Sequence, residues 1–131
     1  MALTRDFRET ICADIQRDPR FLKALFIQAI NAYLEGEISL GRSVLRDIVN
    51  ATVGFEALAE ELGKPSKSLH RMLGPRGNPS TENFFAIVGA VQKRTGLRLR
   101  VTADSQRSLL ALKGKGGIRP DYDYKRARSA Q

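Results

Sequence analysis

The chain has 131 residues, a net charge of +8, 42% apolar residues and a single cysteine. That length suits one domain, with an added tail, burying a core that needs no disulfide or metal staple. Its apolar runs are too short for a membrane span or a secretory signal. Cys12 has no partner for an internal disulfide, so it reads as a small packing residue in a cytoplasmic chain.

The charge is unevenly spread. Residues 1–60 hold 7 Lys/Arg and 9 Asp/Glu, a net −2, whereas residues 61–131 hold 15 and 5, a net +10. A phosphate-binding surface needs such an excess, although a basic face that binds nothing has the same composition.

In chain order, Leu3, Phe7, Ile11 and Ile15 recur every four positions and predict a helix over 3–16, with Thr4 as a candidate cap and Asp18-Pro19 as its end. A helix over about 20–34 follows from Leu22, Leu25, Phe26, Ala29, Ile30 and Tyr33. Glu35-Gly36-Glu37 reads as a turn, and Ser39 as the cap of a third helix to about Thr52, burying Leu40, Val44, Leu45, Ile48 and Val49. These three helices read as structural, with no site chemistry in them.

Residues 54–73, GFEALAEELGKPSKSLHRML, read as two short helices joined by a tight turn. Leu58, Ala59 and Leu62 form the apolar face of the first, and Gly63 supplies the left-handed residue that ends it. Lys64-Pro65 blocks direct continuation. Leu69, Met72 and Leu73 face inward on the second helix, leaving Ser66, Lys67, Ser68, His70 and Arg71 facing out. A small residue at the crossing and an aliphatic anchor behind it are what a steep helix pair requires, and they free the outer face of the second helix for a major groove. Two core helices of an ordinary bundle carry the same apolar pattern.

Gly74-Pro75-Arg76-Gly77-Asn78-Pro79 is a loop on composition, with Arg76 placed to meet a phosphate or to do nothing but connect. Ser80 caps a helix to about Thr95, whose stripe is Phe84, Ile87, Val88 and Val91, and Gly96 ends it. Residues 97–103, LRLRVTA, alternate like a half-buried strand, with Leu97, Leu99 and Val101 on one face. A lone strand needs an edge, so pairing with a second copy or with a partner protein is expected. Beyond it, Leu109, Leu110 and Leu112 form a short apolar cluster. Lys113-Gly114-Lys115-Gly116-Gly117 and the basic end around Tyr122 and Tyr124 read as a mobile or solubilising arm.

The helix pair of residues 54–73 with Asn78-Pro79-Ser80 resembles the helix-turn-helix of lambda-repressor/Cro-like regulators. Within that group the chain is similar to the small addiction-module antidote proteins over about residues 29–102. The likeness is carried by Ala32-Tyr33-Leu34, by residues 54–73, by Gly77-Asn78-Pro79-Ser80 and by Leu97-Arg98-Leu99. Two positions depart from the pattern. Gly54-Phe55 stands where the superfamily opens with a Thr-Gln pair that touches the DNA backbone, and Lys64 stands where it favours an apolar residue. Residues 1–28 and the basic tail have no counterpart in the family, and the tail's sign is opposite to the acidic segments with which many antitoxins hold basic toxins.

The resemblance implies an all-α, lambda-repressor-like helical bundle with an N-terminal helical extension at 1–36, a helix-turn-helix domain with a terminal β-strand at 37–104, and a basic tail at 105–131. It implies a dimeric repressor that binds double-stranded operator DNA and neutralises a small basic RelE/ParE-type toxin encoded beside it. The candidate DNA-binding residues are Lys64, Ser66, Lys67, Ser68, His70, Arg71 and Arg76, and the candidate dimer strand carries Leu97, Leu99 and Val101. A stand-alone phage-type or metabolic repressor and a protein-interaction module without DNA remain alternatives. No catalytic constellation is legible: His70 is the only histidine, and there is no CxxC pair, phosphate loop or nucleophile elbow. An enzyme, a metal and a cofactor are therefore not expected.

Overall fold

The computed structural model describes residues 5–105 and the pair 125–126. Its described elements are six helices: α1 Arg5–Arg17, α2 Pro19–Leu34, α3 Ile38–Ala51, α4 Phe55–Leu62, α5 Ser66–Met72 and α6 Thr81–Thr95. They belong to a unit that runs from Met1 to Leu99, so α1 and α2 share one core with α3 to α6. A second unit comprises Arg100–Gln131. Leu3, Thr4, the apolar cluster at 109–112, the glycine-lysine stretch and both tail tyrosines lie outside the described residues.

The helix ends follow from local chemistry. Asp18 does more than break a pattern: its carboxylate accepts the Arg20 N–H at 2.9 Å, and Pro19 takes the first helical position of α2, where a missing N–H costs nothing. Ser80 caps α6 in the same way, accepting the Asn83 N–H at 3.1 Å. Gly63 and Gly96 end α4 and α6 in the left-handed conformation, at φ of 64° and 77°. The expectation for Ser39 fails. α3 begins at Ile38 behind Glu37, without a side-chain cap, and Ser39 lies exposed in its first turn.

Leu40 is also placed differently from expectation, being 43% exposed. The reason is Gly41. A β-carbon there would lie 2.7 Å from the Tyr33 ring and 2.9 Å from the Ala29 carbonyl, so α2 and α3 cross at the glycine. Leu40, one residue round the helix, is left on the rim. Phe7 is 50% exposed for a related reason: a strict four-residue repeat drifts around a helix of 3.6 residues per turn, and Ile11 is half-buried while Ile15 is buried.

Phe26 of α2, Leu45, Ile48 and Val49 of α3, Leu58 of α4, Leu69 of α5 and Ile87 and Val91 of α6 are all sealed from solvent. Burial of each such side chain contributes roughly 1.5–3 kcal/mol. Tyr33 joins α2 to α6 by an edge contact with Phe84, ring centroids 4.6 Å apart.

Residues 97–105 form neither helix nor strand, and the described residues include no β-ladder. The expected β-strand is therefore not formed within this chain. The alternation behind it is present only in part: Leu97 and Leu99 pack on the core, Arg98 and Arg100 are exposed, and Val101 is 95% exposed. A ladder needs a second extended segment. Here side chains of α6 take its place, Thr95 Oγ1 accepting the Leu97 N–H at 3.2 Å and Gln92 Oε1 the Leu99 N–H at 2.8 Å.

Candidate nucleic-acid interface

The pair α4–α5 is held by three features. Gly63 turns the chain, and the Lys64 N–H reaches back to the Ala59 carbonyl at 3.1 Å, closing a Schellman-type turn. Leu69 and Leu73 are buried to 0% and 1% exposure beneath α5, beside Leu58 and Ala59 of α4. The Ser66 hydroxyl donates to Glu56 Oε1 at 3.1 Å, tying the start of α5 to α4.

What remains on the outside of α5 is a basic face. Lys67, His70 and Arg71 are exposed, and their spacing of three and four residues puts them side by side. Arg76 is exposed in the loop that follows. The other three candidates sit differently: Lys64, Ser66 and Ser68 are half-buried, and Ser66 is already engaged by Glu56. The exposed candidates are thus Lys67, His70, Arg71 and Arg76.

Phe55, where the sequence departs from the pattern it resembles, has a packing role in the fold. It is 5% exposed and stacks on the His70 imidazole, ring centroids 3.9 Å apart and planes 20° from parallel. The first residue of α4 thereby braces a side chain on the outer face of α5. A polar residue at that position would reach outward instead.

The loop after α5 is positioned by a residue in a helix read as purely structural. Arg42 of α3 is 8% exposed and donates through its two terminal nitrogens, to the Gly77 carbonyl at 2.9 Å and the Pro75 carbonyl at 2.8 Å. Each bond is charge-assisted, hence stronger than a neutral one. A signal for this was available: Arg42 lies on the same stripe as Leu45 and Val49, and a charge on an apolar stripe announces a buried partner. Arg42 thus fixes the path of the chain that carries Arg76.

Asp47 of α3 is buried too, at 8% exposure, with Arg8 of α1 3.9 Å away. Burial raises its carboxyl above the ordinary 3.8, and Arg8 and Arg46 partly oppose this. The folded chain then holds the proton more tightly than the unfolded one. Stability should fall as pH rises from about 3.8 through the folded pKa and level off above it. Urea midpoints between about pH 3.5 and 6.5 test this: Asp47→Asn should flatten the decline, and an unchanged slope would assign it to another group.

No helix among the described residues is long and apolar enough to cross a membrane, and no cluster of three or more metal-ligating side chains occurs among them. Comparison of the chain with family profiles, with curated proteins and with solved structures finds no match in any of the three.

Proposed function

We propose that this chain is a dimeric, sequence-specific DNA-binding repressor and the antitoxin of a toxin–antitoxin pair, with α4 and α5 as its helix-turn-helix. One observation carries the DNA reading: α5 is anchored from behind by Leu69 and Leu73 while Lys67, His70 and Arg71 stand exposed in a row on its outer side. A short helix with that division can enter a major groove, where an arginine fork matches guanine O6 and N7. Arg71→Ala should cost roughly 1–3 kcal/mol on the operator and relax specificity at one base pair. Arg76→Ala should instead weaken all duplexes alike and flatten the salt dependence. Anisotropy titrations at several salt concentrations read both, and operator binding by Arg71→Ala that matches wild type would refute the assignment.

The dimer reading rests on residues 97–101. The Leu97 and Leu99 N–H groups are engaged by α6, so a second copy would pair along the opposite edge, through Arg98, and cover Val101. Two such copies about a two-fold axis would set their α5 helices roughly 34 Å apart and read a palindrome. Arg98→Pro removes a donor from that edge and should shift the dimer toward monomer. Light scattering of wild type and variant at micromolar concentration checks it, and a wild-type monomer rejects this route.

The antitoxin reading draws on the acidic first half and on one groove. Between α2 and α3 lies a cavity of about 310 Å³ bordered by Ile27, Leu40, Glu35 and Glu37, which suits a partner segment that is both apolar and basic. Asp47 belongs to no such surface, because it is buried. Co-expression with the product of the adjacent gene, followed by affinity purification and a growth assay, tests it. An absent, unbound or un-neutralised neighbour leaves a plain repressor, and absence of salt-sensitive duplex binding leaves a protein-interaction module.

A further inference from the structure

A second cavity, of about 220 Å³, lies between α1, α3 and the loop after α5, and its lining is unusual. Ser39, Arg42, Ser43 and Arg46 of α3 follow one another at helical spacing, so all four face the same way. Arg8 enters from α1 and Pro75 closes the side nearest the loop. Three arginines therefore line one cavity, and beside them Asp47 lies 3.9 Å from Arg8 and interacts electrostatically with Arg46 as well.

The donors are not used up. Arg42 gives two of its five N–H groups to the Pro75 and Gly77 carbonyls. Arg46 Nε is buried and has no hydrogen-bond partner among the described residues. Buried donors in folded proteins are almost always satisfied by protein or by water, so an orphan on a residue that lines a cavity points to a water or a ligand held there. The cavity has room for a tetrahedral oxyanion and several waters, since one water needs only about 10–15 Å³ of such space. Planar guanidinium forks and hydroxyl donors are the pairing that phosphate oxygens accept best.

We infer that the cavity framed by Arg8, Arg42, Ser43 and Arg46 is a phosphate-binding site. The phosphate comes either from a nucleic-acid backbone or from a small phosphorylated molecule. In both cases Arg46 is its principal ligand and Ser43 a second donor. Occupancy would also act on the loop bearing Arg76, because Arg42 touches both the cavity and that loop. The site does not depend on the DNA reading and stands if that reading fails.

Calorimetric titration with inorganic phosphate, against chloride at matched ionic strength, tests the site in the full chain. Wild type should bind one phosphate saturably, and Arg46→Met should bind it at least tenfold more weakly. Ser43→Ala, with a smaller loss, serves if Arg46→Met does not fold. A duplex titration separates the sources. A backbone phosphate predicts that Arg46→Met weakens every duplex alike and reduces the salt slope by about 0.9, with inorganic phosphate competing. A small-molecule phosphate predicts unchanged duplex titrations beside the lost phosphate binding. Phosphate binding that the Arg46 and Ser43 variants both retain overturns the inference. So does its absence from wild type together with unchanged duplex binding by the variants.

Discussion

Gly77→Ala is expected to destabilise the chain by about 1–3 kcal/mol, as overpacking against groups that cannot move does. A β-carbon on Gly77 would sit 2.2 Å from the carbonyl oxygens of Arg71 and Met72 and 2.5 Å from the Met72 carbonyl carbon. All three are backbone atoms of the end of α5, so no rotamer change relieves the contact. The loop must swing away, and two hydrogen bonds go with it: Gly77 N–H to the Gly74 carbonyl at 2.9 Å, and Arg42 to the Gly77 carbonyl at 2.9 Å. Chemical denaturation of Gly77→Ala beside wild type measures this, and a loss below about 0.5 kcal/mol, the range of ordinary surface changes, would show that the loop absorbs the β-carbon. The glycine is required by crowding and not by a left-handed backbone, since Gly77 is absent from the positive-φ residues.

Arg42→Met is expected to cost a similar amount, about 2–4 kcal/mol, for a different reason. It removes two bonds from a charged donor, each worth roughly 1.5–3 kcal/mol, and leaves the Pro75 and Gly77 carbonyls to find water. The loss is held below the full sum because burying a guanidinium is itself costly, and methionine removes that cost. Arg42→Lys should recover only part, as one ammonium does not reproduce a planar fork spanning two carbonyls. The two substitutions act on one loop, so the double variant should cost less than their sum by about 0.5–3 kcal/mol. Strict additivity in denaturation midpoints would mean that Arg42 does not hold Gly77. If the basic face binds DNA, Arg42→Met should also weaken binding without touching the duplex, since Arg76 would lose its fixed position.

These two residues mark the boundary between what a linear reading reaches and what it does not. The helices, their breaks and most of the core are local properties: Asp18-Pro19, Gly63-Lys64-Pro65 and Ser80 each set a terminus through the conformation of one or two residues. The basic face of α5 is equally local, because once Leu69 and Leu73 point inward, helical geometry sends Lys67, His70 and Arg71 outward. A period-two pattern was legible at 97–103 as well, but an alternating pattern states a preference and not a partner, and the described chain has no second strand for it.

The amino-acid order by itself thus determined where most helices begin and end (the start of α3 excepted), which faces turn inward (Phe7 and Leu40 excepted), and that the second half is basic. Tertiary structure alone decided the contacts made across large gaps in sequence. Arg42 meets Pro75 and Gly77, 33 and 35 residues away, and Phe55 braces His70. Arg8 joins Arg42 and Arg46 around one cavity. The physical reason is the difference in range between the two kinds of information. Backbone conformation and helical periodicity act over a few neighbouring residues. The partner of a buried charge is whichever group the packed helices bring within about 3 Å, and that is settled only when the core closes.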